Sequence, residues 1–102
     1  VKRGEVYWVN LDPTVGSEAK KRRPAVILSP DEMNRSLPVV IVAPITSSKK
    51  SWPTRADVTL SGKAGQIMLD QIRTVDKSRL MKRIAEVEIV EALDALQITF
   101  SP

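Results

Sequence analysis

The chain contains neither cysteine nor histidine. Without cysteine there are no disulfides, thiolate metal sites or thiol nucleophiles. Without histidine the usual general acid and base, the commonest metal ligand and every Ser-His triad are missing. Any catalysis must therefore run on carboxylates, Arg, Lys, Tyr or hydroxyls. Aromatic residues are scarce, with two Trp, one Tyr and one Phe. No apolar run approaches the roughly 20 residues that span a bilayer. The stretch VKRGEVYW enters a strand pattern with no leader before it, so a cytoplasmic protein with no membrane association is expected.

With 102 residues, 42% hydrophobic and 27% charged, the chain is expected to form one domain over residues 1–102 with a modest core. Its net charge of +4 is uneven. Residues 1–55 carry ten Lys/Arg against five Asp/Glu, whereas residues 56–102 carry six against seven. A one-sided positive field favours a polyanion, nucleic acid first and an acidic protein segment second. Charge alone is equally compatible with ordinary solubility.

The basic half is organised around Asn10 to Pro30, NLDPTVGSEAKKRRPAVILSP. Pro13 and Gly16 bracket a polar loop that should reverse the chain between two strands. The loop carries Glu18 and four consecutive cations, Lys20, Lys21, Arg22 and Arg23, and runs straight into the apolar Ala25-Val26-Ile27-Leu28. Arg23, anchored by Pro24 and a buried strand, moves less than a mid-loop guanidinium, which suits phosphate binding or transition-state stabilisation.

Strands are predicted over Glu5–Leu11, Ala25–Leu28, Pro38–Pro44 and Asp57–Leu60, with Trp8 read as core, since a base-stacking role would require it to be exposed. Residues 30–34 fit one helical turn. A long strand with room for a bulge is predicted over Gln66–Val75, a short turn opening at Asp76 and a strand over Met81–Ala85. The tail from Glu86 to Phe100 reads as a helix packing a Leu face onto the sheet, with Glu86, Glu88 and Glu91 near its positive end. The expected class is mainly β with α (α+β): a small SH3-like antiparallel barrel or bent sheet with a C-terminal helix.

The candidate site residues lie at strand ends and in loops. They are Glu18 and Arg23 from the first loop, Thr46 and Ser47 beyond the third strand, and Asp70, Gln71 and Arg73 from the long strand. Lys49, Lys50 and Trp52 form a basic loop in which phosphates could meet lysine and a base could stack on indole. No metal-ligand set or cofactor motif is evident. RNA makes histidine dispensable, because its 2′-hydroxyl is an internal nucleophile. The protein need only orient that group, help remove a proton and stabilise a charged phosphorane. Arg23 can supply positive charge, Thr46 a hydrogen bond to a phosphate oxygen, and Glu18 a proton acceptor. Singly, each reads as easily as an ion pair or a turn cap.

RGEVYWVNLDPTVGSE, then RRPAVILSP, PITS and DQIRTVDKSRL, resemble the MazF/PemK toxin family (also called Kid or ChpB) over nearly the whole chain. The resemblance implies a PemK-type barrel, a homodimer and a metal-independent, sequence-specific endoribonuclease of single-stranded messenger RNA. The products would carry a 2′,3′-cyclic phosphate and a 5′-hydroxyl, and an acidic MazE- or PemI-like antitoxin would neutralise the enzyme. It places the essential arginine on Arg23, the essential threonine on Thr46 and a proton-transfer glutamate on Glu18. Ser17, Asn34 and Gln71 fall on positions of RNA contact. Some relatives carry arginine where this chain has Met68, and the Lys20–Arg22 segment is richer in cations than is common. A gyrase-binding poison of the related CcdB type and a non-catalytic RNA-binding barrel are the alternatives.

Overall fold

The computed structural model describes residues 1–13, 15–18 and 21–102. Its elements are β1 (Glu5–Asn10), β2 (Arg22–Ile27), α1 (Asp31–Ser36), β3 (Val39–Thr46), β4 (Arg55–Leu60), β5 (Lys63–Met68), β6 (Arg73–Asp76), β7 (Leu80–Glu86) and α2 (Val90–Thr99). Two 3₁₀ turns, Leu69–Gln71 and Lys77–Arg79, separate β5 from β6 and β6 from β7. The strands pair antiparallel in the order β4-β5-β3-β2-β1-β7, with β6 also on β3. The expected bent antiparallel sheet with a C-terminal helix is therefore observed, as a curled half-barrel.

The curl follows from β2 and β3, whose apolar runs leave neither face for water. Val26, Ala43 and Ile45 point into one core with Val6, Ile67 and Leu69, covered by Ala92 and Ala95 of α2. Ala25, Ile27, Val40 and Val42 alternate into a second core with Val9, Leu11 and Val75. One strand pair thus feeds two cores.

The predicted long strand is broken. Its pieces both pair with β3, β5 through Ile45↔Ile67 and Thr46↔Gln66 and β6 through Val39↔Asp76 to Val42↔Arg73. Ile67, Met68 and Leu69 are all buried in succession, which a strand with one covered face cannot achieve. The 3₁₀ turn inserts Leu69 into the core and turns Asp70 and Gln71 outward. At the next break the Asp76 carboxylate accepts the Ser78 backbone N–H at 2.9 Å, capping the turn expected there.

Two further expectations are corrected. Trp8 is 40% exposed rather than in the core. It lies opposite Pro24, where β1 slips register against β7 between Tyr7 and Val9, and it borders a surface cleft. The helix begins at Val90 because Glu86 is still paired with Glu5 in the sheet. It buries Ala92 and Ala95 and leaves Val90, Ile98 and Phe100 exposed. Small residues let the helix approach closely, and Leu96 of the expected face packs against the same core, whereas Val90 and Phe100 of that face do not. The Glu88 carboxylate accepts the N–H groups of Ile89 and Val90 at 3.0 and 3.2 Å, which places negative charge at the helix start as anticipated.

Candidate active site

Strand register sets the geometry. β2 and β3 pair through Ala25↔Pro44, Val26↔Ala43 and Ile27↔Val42, and Arg23 and Thr46 each lie two residues beyond the Ala25↔Pro44 pair. Both line a cleft of about 550 Å³. Thr46 is the last residue of β3 rather than beyond it. Its hydroxyl oxygen accepts the Ser48 N–H at 3.2 Å, so its own proton can be donated to a phosphate oxygen. Lys21, Arg22, Lys63, Ser47 and Ser48 also face the cleft, and among the described residues no carboxylate lines it.

A second depression, of about 490 Å³, adjoins the first at Arg23 and Lys21, which line both, and contains Ser17, Glu18, Met68 and Gln71. Glu18 reaches it from a closed turn, in which its carboxylate accepts the Val15 N–H at 2.7 Å and its own N–H donates to the Val15 carbonyl at 3.2 Å. The base of this loop is clamped. Leu11 N–H donates to the Lys21 carbonyl and Lys21 N–H to the Asp12 carboxylate, each at 2.9 Å. Lys21 has φ +63, a left-handed kink that a non-glycine residue adopts at a cost and that aims Arg22 and Arg23 along β2. The Arg73 guanidinium donates to the Leu11 carbonyl at 3.1 Å, and that of Arg79 to the carbonyls of Asn10 and Asp12. Arg73, expected at the RNA surface, is half-buried and holds this loop.

The second loop is held differently. Gln66 is buried, accepting the Lys50 N–H at 2.9 Å and donating to the Lys50 carbonyl at 3.0 Å and the Asp57 carboxylate at 3.1 Å. Arg55 meets Asp70 in a forked pair, at 2.7 and 3.3 Å, with its guanidinium 4.6 Å from the centre of the Trp52 ring. Burial pushes the Asp70 carboxyl upward, but the Arg55 hydrogen bond, a backbone N–H, the Arg55 charge and the Thr54 hydroxyl together leave it below its ordinary value of 3.8. A lowered folded-state value means stability that is present above about pH 4 and lost as pH falls through that value. Asp70→Asn should therefore lose about 1 kcal/mol in urea unfolding at pH 7, with the gap to wild type narrowing as pH falls below about 4.

Other assigned residues lie elsewhere. Asn34 is 3% exposed, accepting from the Ser29 hydroxyl at 2.5 Å and donating to the Ser29 carbonyl at 3.0 Å. Its amide joins α1 to the end of β2, and Asn34 lines neither cleft. Lys49, Lys50 and Trp52 line neither cleft, and Trp52, 48% exposed, already has Arg55 on its ring. Lys20 lies outside the described residues. Conversely, sequence reasoning placed Trp8 in the core and missed Lys63 and Gly65, all three at the cleft. Only the turn signal Ser61-Gly62 pointed at the hairpin carrying the last two. Among the described residues no group of three or more carboxylates is arranged to hold a metal ion, and no helix is long and apolar enough to cross a membrane.

Residues 2–99 match the family described as PemK-like, MazF-like toxin of type II toxin-antitoxin system. The chain belongs to the PemK/MazF toxin family. Among PemK/MazF relatives, it is 39% identical to Endoribonuclease EndoA of Bacillus subtilis (strain 168), over 99% of this chain and 95% of the relative. It is 38% identical to Endoribonuclease MazF of Staphylococcus epidermidis, over 97% and 90% respectively. The crystal structure of MazF (Form-I) from Deinococcus radiodurans superposes with a TM-score of 0.83 at 28% identity, over 97% of this chain and 94% of that one. The MazE-MazF structure (Form-II) from the same organism superposes at 0.72 and 30% identity, over 99% and 97%.

Proposed function

We propose that this PemK/MazF chain is a sequence-specific endoribonuclease toxin that cuts single-stranded RNA through the RNA's own 2′-hydroxyl. The observation that carries the reading is the convergence of Arg23 and Thr46 on one cationic cleft, continuous through Arg23 with the depression holding Glu18 and Gln71. The 2′-oxygen attacks the adjacent phosphorus as its proton passes to a base, for which Glu18 is the nearest acceptor. Arg23 balances the charge of the phosphorane, and Thr46 donates to a phosphate oxygen. The P–O5′ bond then breaks and the departing oxygen takes up a proton, leaving a 2′,3′-cyclic phosphate and a 5′-hydroxyl. No step calls for a metal.

The partners follow from the same surface. The cationic cleft would attract the acidic segment of an antitoxin, competing with RNA, so inhibition should weaken as salt rises. A second copy of the chain would cover apolar residues exposed on α2 and just after it, Val90, Ile98 and Phe100. The toxin would act in the cytoplasm, where messenger RNA is found.

Incubating purified protein with a long mixed-sequence RNA in excess chelator tests the proposal. Recurrent cuts at one short word, with cyclic-phosphate and 5′-hydroxyl ends, are expected. RNA bound by folded protein but never cut would overturn the enzymatic reading in favour of a binding module.

A further inference from the structure

Trp8 is the residue the proposed chemistry leaves unexplained. Large aromatics normally hide, and this one is 40% exposed in the middle of a strand, in a chain with only four aromatic residues. Its neighbours Val6 and Val9 are fully buried, so the strand itself is well covered. The indole lies opposite Pro24 in register, and both line the cleft that contains Arg23 and Thr46. The facing wall is the β4–β5 hairpin, which contributes Leu60, Lys63 and Ala64. Its two-residue turn, Ser61 and Gly62 with φ of 52 and 79, is the tight form that holds such a hairpin rigid.

We propose that Trp8 is a base-stacking wall, and that the space between it and the Leu60–Ala64 hairpin receives the base of a nucleotide adjoining the scissile phosphate. The proposal rests on the RNA-cleaving reading above and adds a specificity residue to it. The chemistry of the cleft favours this occupant. Its flanks are apolar at Trp8, Pro24, Leu60 and Ala64, and cations stand around them at Arg22, Arg23 and Lys63. A nucleotide has that same division, an apolar π-face joined to an anion, and single strands are held by stacking combined with backbone neutralisation. A volume of about 550 Å³ lies within the range of ligand pockets. Trp52, the other indole, already has the Arg55 guanidinium over its ring at 4.6 Å.

The test uses the full chain and short single-stranded RNAs containing its cleaved word. Trp8→Ala should raise KM roughly 5- to 150-fold, the span found for losing one base stack, with kcat changed much less, and Trp8→Phe should restore most of the loss. An abasic scan of the oligonucleotide separates stacking from a structural role. At one position, next to the cut, base removal should cost the wild type a similar factor and cost Trp8→Ala nothing more. Should Trp8→Ala fold poorly, a Trp52→Phe chain leaves Trp8 as the sole indole, and its emission should be quenched on titration with the all-deoxy, uncleavable strand. Wild-type cutting with an unchanged KM in Trp8→Ala, or saturable binding without quenching, overturns the Trp8 proposal alone. A wild type that neither binds nor cuts RNA overturns both readings.

Discussion

Arg23→Ala is expected to lower the rate of RNA cleavage by about 10²–10³-fold, the usual cost of deleting one preorganised charge stabiliser, while the protein remains folded. The structural grounds are the position of the side chain and its support. Arg23 lies opposite Val9, a fully buried residue of β1, and precedes Pro24 and the buried Ala25, so its backbone has little freedom. Arg23 is half-buried where the two depressions meet, and a phosphorane between them would lie within its reach. Truncating a side chain at a cleft edge removes no core volume, so the thermal midpoint should move by no more than a few degrees. Arg23→Lys separates charge from shape. A lysine keeps the charge and loses the planar fork that matches a phosphate, so intermediate activity is expected. Single-turnover cleavage and thermal melts on the same preparations decide the matter. An alanine variant that cuts like the wild type would remove Arg23 from the mechanism.

How much of this was legible in the sequence depends on whether the signal was local. β2 and β3 could be read because four or more successive apolar residues demand burial on both faces, and the structure puts them in two cores. Arg23 and Thr46 could be placed at strand ends because Pro24 and the PITS stretch mark where apolar runs stop. Their mutual alignment is a matter of register and pairing, which no local pattern records. Trp8 was misread for the same reason. A tryptophan in a strand is usually covered, and its exposure goes with a tertiary feature, the cleft that Trp8 and Pro24 line together with the β4–β5 hairpin. Arg73 looked like a surface cation, yet its guanidinium donates to the Leu11 carbonyl, 62 residues away in sequence. Asn34 fits a functional pattern in sequence and a structural one in space, since Ser29 takes up its amide. Long side chains and buried amides find partners through tertiary contacts, and those were the residues whose roles changed.

Gly65 is where such a tertiary contact bears most directly on chemistry. A Cβ at this position would stand 2.8 Å from the Thr46 carbonyl oxygen and 3.7 Å from the Ile45 Cγ2 atom. The first distance is too short to survive, and the obstructing atom belongs to backbone, so no side chain can swing aside. β3 and β5 must separate at their tips. They are joined there through Thr46↔Gln66, and Gln66 in turn holds Lys50 of the second loop. The displacement should reach the Thr46 hydroxyl and the hydrogen bond it accepts from Ser48. Overpacking of this kind costs about 1–3 kcal/mol of stability, and a misplacement of about 1 Å at a reacting group costs about 10²-fold in rate. Gly65→Ala is therefore expected to remain folded at 25 °C, with a lower urea midpoint and kcat reduced about 100-fold. Thr46→Ala, which deletes the hydroxyl and leaves the strands in register, should lose activity with little change in midpoint. Combining the two changes should cost less in rate than the product of their separate effects, because both act on one hydroxyl. Additive losses, or wild-type cutting by Gly65→Ala, would mean that the β5 hairpin yields instead and that Thr46 keeps its position.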